Sequence, residues 1–114
     1  MNLEEIQTAL VALGIEPDSF GGWCPVQVSG RYCGRYLYFR ARGDGWQLAI
    51  HDTEDLAVDL TFADDEHDAA YQGGFLRMGG YGQPQGYEAG YMPMEIAIEL
   101  IKEALKGYPC CFGN

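Results

Sequence analysis

The sequence predicts an α+β fold: an N-terminal helix, a four- to five-stranded antiparallel β-meander and a C-terminal helix, with both helices on one face of the sheet. Three observations lead there. Apolar residues recur at helical spacing near both ends of the chain, the period falls to two between them, and the turns in that middle stretch are short and carry glycine. A chain of 114 residues suits a single domain spanning 1–114, because two domains would each lack a sufficient core.

Asn2 is placed to cap the first helix, and Glu5, three residues on, to reach back as a capping box. Leu3, Ile6, Leu10 and Leu13 then share one helical face. Gly14 supplies a left-handed stop and Pro17 forbids continuation, so the helix ends near Leu13. From Val26 the alternation of a strand begins, with Val26, Val28 and Tyr32 against Gln27, Ser29 and Arg31. Leu37, Phe39 and Ala41 alternate with Tyr36, Tyr38, Arg40 and Arg42 in a second strand. Trp46, Leu48 and Ile50 alternate with Gln47, Ala49 and His51 in a third. "YCGR" and "RGDG" join them as tight hairpins.

A fourth strand is expected over 55–62, burying Leu56, Val58, Leu60 and Phe62 while Asp55, Ala57, Asp59 and Thr61 face outward. "FLRM" at 75–78 supplies a short fifth, inside a glycine- and tyrosine-rich stretch at 71–91 that otherwise reads as loop. "PMEIAIELIKEALKG" forms the last helix, with Pro93 at its start, a stripe of Met94, Ala97, Ile98, Ile101, Ala104 and Leu105, and Gly107 at its end. Ile96 and Leu100 widen that stripe beyond one contact, which suits a homodimer. In outline the helix-then-meander opening is similar to that of small acidic secretion chaperones, a likeness of element order without a shared motif.

The net charge is −10, and its distribution is uneven: residues 21–50 carry +3 and residues 51–68 carry −8. Net acidity disfavours nucleic acid as a partner of the whole molecule, because affinity for phosphates comes from Lys and Arg. No apolar run is long enough to span a membrane. Glu4 and Glu5 stand where an export signal would carry bases, so a cytoplasmic protein with reduced thiols is expected, Cys24, Cys33, Cys110 and Cys111 included.

No catalytic signature surrounds either serine, Ser19 or Ser29, or either histidine, and "DDEHD" at 64–68 lacks the spacing of a calcium loop. Neither a metal nor another cofactor is therefore expected, and no catalytic residue is assigned. What remains is recognition by surface. Carboxylates on one face of a strand repeat about every 6.6 Å, loosely as phosphates do along a nucleic-acid strand. The expected function is a small acidic, non-catalytic protein-binding domain, an inhibitor or adaptor that docks on a basic partner. A nucleic-acid mimic of the kind found in anti-defence or immunity proteins is one form this would take. Asp55, Asp59, Asp64, Asp65, Glu66 and Asp68 would form its docking surface. The alternatives are a single-stranded nucleic-acid binder that uses Tyr36, Tyr38, Arg40 and Arg42, where bases stack beside phosphate contacts, and a small metal- or ligand-binding protein built on His51 and His67.

Overall fold

The computed structural model describes residues 2–21, 26–62, 73–83, 86 and 88–108. Five strands form one antiparallel sheet whose spatial order follows the chain, β1 (Ile15–Gly21), β2 (Val26–Tyr32), β3 (Arg35–Arg42), β4 (Gly45–His51) and β5 (Phe75–Gly80). Among the described residues three α-helices accompany it: α1 (Leu3–Ala12), α2 (Glu54–Leu60) and α3 (Met94–Leu105). A 3₁₀ turn at Glu88–Tyr91 leads into α3.

The capping box of α1 forms as expected: the Asn2 side chain accepts from the Glu5 N–H at 2.8 Å and the Glu5 carboxylate accepts from the Asn2 N–H at 3.0 Å. The β2–β3 hairpin turns on Cys33 and Gly34, with φ of 53° and 80°, the two positive angles that match a tight turn to the twist of the strands. Register then runs unbroken from Tyr32↔Arg35 to Val26↔Ala41 and from Arg42↔Gly45 to Tyr36↔His51.

One face of the sheet is fully covered. Val28, Leu37, Phe39, Leu48 and Ile50 are sealed there beneath Ile6 and Leu10 of α1 and Ala97, Ile101 and Leu105 of α3. This is the two-helix layer expected. Burial of so many large side chains, each contributing about 1.5–3 kcal/mol, is what offsets the entropy of ordering the chain.

Two elements depart from expectation. Residues 15–21, to which the sequence pattern assigned no element, form an edge strand. Proline is tolerated there because an edge N–H has no partner to lose, and the register shift between Pro17 and Ser19 absorbs the irregularity. More consequentially, the expected strand over 55–62 is the helix α2. Thr53 caps it, its Oγ1 accepting from the Leu56 N–H at 3.3 Å, and Glu54 and Asp55 occupy the first turn, where the helix dipole favours negative charge. Ala57, Leu60 and Thr61 are buried at helical spacing, whereas Leu56 and Phe62 are left 42% and 68% exposed. In so short a segment both periods fit the apolar residues, and the cap decides; the edge of β4 goes to β5 instead.

α2 lies on the sheet face opposite α1 and α3. Ala57 and Leu60 close a small second cluster there with Tyr36, Ala49 and Leu76. Gly74 makes room for it, since a Cβ at that position would collide with Leu60 Cδ1 and stand 2.8 Å from His51 Cδ2.

Candidate functional site

The second face of the sheet carries the polar residues of β3 and β4, and α2 divides it. Register places Tyr36 beside His51, Tyr38 beside Ala49, and Arg40 beside Gln47, so the alternation expected from sequence does put these side chains on one surface. Their surroundings differ sharply along it.

Under α2, Tyr36 and His51 are buried. Burial pushes the Tyr36 phenol above its ordinary value of 10.0; a hydrogen bond with Ser29 opposes this, while Glu54 and Asp18 push it further up. Ser29 is itself buried, with its Oγ 3.0 Å from that of Ser19. His51 Nδ1 accepts the Asp52 N–H at 2.8 Å. These buried groups lie around the start of α2.

Next along the chain, Arg35 ties four parts of the protein together from the first position of β3. Its Nε donates to Asp52 at 2.9 Å, one terminal nitrogen to the Gly73 carbonyl at 2.6 Å and the other to the Tyr108 hydroxyl at 3.5 Å. Partial burial alone would lower its pKa, but the hydrogen bonds with Tyr108 and Asp52 outweigh this and hold it above the ordinary value. Tyr108 in turn meets Phe75 edge-on, ring centroids 5.0 Å apart, and Tyr32 at 5.7 Å. Beside this cluster the expectation of reduced thiols fails, for Cys33 is disulfide-bonded. Sequence spacing gave no sign of it because folding, not chain distance, brings two cysteines within bonding reach. Cys24, Cys110 and Cys111 lie outside the described residues.

Beyond α2 the face opens into a cleft of about 500 Å³. Its floor is Arg40, Arg42, Gln47 and Met78, and its wall is Thr61 and Phe62 just past the helix. The Arg40 guanidinium lies 5.2 Å from the centre of the Phe62 ring, a cation–π contact that holds the arginine in place. Tyr38 is half-buried between the two halves of the face, its hydroxyl accepting from Gln27 Nε2 at 3.0 Å. Of the four aromatic and basic residues singled out by sequence, only Arg40 and Arg42 therefore line open space; Tyr36 is inside and Tyr38 is engaged.

Among the acidic residues singled out, Asp55 and Asp59 are exposed on α2, a helical turn apart, so the strand spacing inferred for them does not apply. Four residues of helix rise by about 6 Å, which happens to restore a similar separation. Asp64, Asp65, Glu66 and Asp68 lie outside the described residues, as does His67. Among the described residues no cluster of His, Cys, Asp and Glu could hold a metal ion, and no helix is long and apolar enough to cross a membrane. What sequence reasoning missed is Phe62, assigned to the core yet exposed beside Arg40. The chain matches no protein-family model, no curated protein and no solved structure.

Proposed function

We propose that the protein is a non-catalytic binding module that docks on a basic protein surface through α2 and the residues that follow it, acting as an inhibitor or adaptor. The observation that carries this reading is the outer surface of α2, where Leu56 and Phe62 stand exposed among the exposed carboxylates Glu54, Asp55 and Asp59. Large apolar side chains left in water mark contact surfaces, and the carboxylates around them select a partner rich in Lys and Arg. A partner whose groove ordinarily receives nucleic acid fits that charge pattern, as for an anti-defence or immunity protein. A second copy of the chain meeting through Ile96 and Leu100 of α3 belongs to the same proposal and is read by sedimentation.

The test is capture of basic proteins on the immobilised chain, with identification of what is bound. Capture should fall with rising salt and fall further with Asp55→Asn and Asp59→Asn together, and Leu56→Ser should weaken it without changing the salt dependence. Capture untouched by all three substitutions would remove α2 as the docking surface.

A further inference from the structure

We infer that the cleft beyond α2 is a binding site for a small phosphorylated ligand with a flat ring, of nucleoside monophosphate size. Its volume of about 500 Å³ lies within the range of small-molecule sites. The donors converge on one region: Arg40 and Arg42 alternate on the same face of β3, about 6.6 Å apart along the strand, with Gln47 directly across from Arg40. Asp44 is the one acidic residue among the described residues of the lining.

In a chain with 17 acidic and 7 basic residues, two neighbouring arginines on one face, with no ion pair to a carboxylate among the described residues, are an unusual concentration of positive charge. Each guanidinium presents a rigid fork of N–H donors that matches the paired oxygens of a phosphate, and an incoming dianion relieves the repulsion between the two. Phe62 then adds an exposed ring beside the Arg40 plane, so the wall offers a stacking surface where the floor offers donors. This combination separates the ligand from a bare anion, which needs no ring, and from an aromatic alone, which needs no arginine. The site shares Phe62 with the proposed docking surface, but its arginines belong to β3, so Arg40→Gln and Arg42→Gln read the cleft while Asp55→Asn and Asp59→Asn read the docking.

Calorimetric titration with adenosine 5′-monophosphate, inorganic phosphate and adenosine tests the assignment. The monophosphate should bind, phosphate should bind about tenfold more weakly, and adenosine should give no heat. Arg42→Gln and, separately, Arg40→Gln should each weaken the monophosphate by about tenfold or more, while Phe62→Ala should bring it down to the level of phosphate. Arg42 is exposed, so Arg42→Gln reads the site even if replacing Arg40 disturbs α2. Three results would overturn the inference: no heat from the monophosphate at about 1 mM, equal affinity in the arginine variants, or an oligonucleotide whose affinity climbs with its length, the mark of a strand-tracking surface.

Discussion

Arg35 and Arg42 open and close the same strand, yet one is consumed by the fold and the other is presented to solvent. At the Arg35 end, the hairpin turn, the link into α2, the approach to β5 and the C-terminal end of α3 meet through one guanidinium and three rings, beside the disulfide-bonded Cys33. At the Arg42 end, α2 has stopped short, the strands run on beneath open space, and the basic side chains there meet an aromatic ring and form no ion pair with a carboxylate among the described residues. The lesson is that residue type does not mark the site here. β3 carries arginines at both ends, but Arg35 falls on the face of Leu37 and Phe39, where it reaches Tyr108, whereas Tyr36, Tyr38, Arg40 and Arg42 share the other face, where α2 covers Tyr36 and stops short of the two arginines.

Perturbing each end should reveal that division. The largest effect is expected from Cys33→Ser, or from adding reductant to the unaltered chain, with a loss of about 2–4 kcal/mol read as a lower Tm. A Tm indifferent to reductant would mean that the staple does not hold this end. Arg35→Ala should cost about 2 kcal/mol in urea denaturation, and Arg35→Lys should recover only part of it, because one ammonium cannot reach Asp52, Gly73 and Tyr108 in a fixed fork.

Tyr36→Phe should cost about 1 kcal/mol at neutral pH and also change the alkaline limb of stability. The phenol titrates above 10.0 when folded and near 10.0 when unfolded, so its contribution is complete below 10 and is lost as pH rises through the folded value. Thermal melts above pH 10 should therefore fall more steeply for the natural chain than for Tyr36→Phe. At the open end, Arg42→Ala should shift stability by no more than about 0.5 kcal/mol. A larger loss would show that this arginine, too, is part of the scaffold.

The helical layer and three central strands were legible because Leu10, Phe39, Leu48 and Ile101 sit in long, cleanly periodic segments whose caps and turns agree with them. Residues 54–60 were not, since Leu56 and Leu60 satisfy either period and the deciding Thr53 cap is a single side chain. That one ambiguity carried over to the site: as a strand the segment would have buried Phe62 and left the whole Tyr and Arg face bare, whereas as a helix it covers Tyr36 and exposes Phe62. The disulfide at Cys33 was illegible for a different reason, because no local pattern specifies a partner brought in by tertiary folding.

The sheet's spatial order repeats the order of the chain, so every strand pairs with the one made just before or after it. The first four strands can assemble from neighbouring hairpins without closing long loops, whereas β5 must first close the longer connection that contains α2. The contact between Arg35 and Tyr108, 73 positions apart, then falls late, after the C-terminal helix has docked. In a chain emerging from the ribosome the hairpins would already be paired while that last clasp was still unmade.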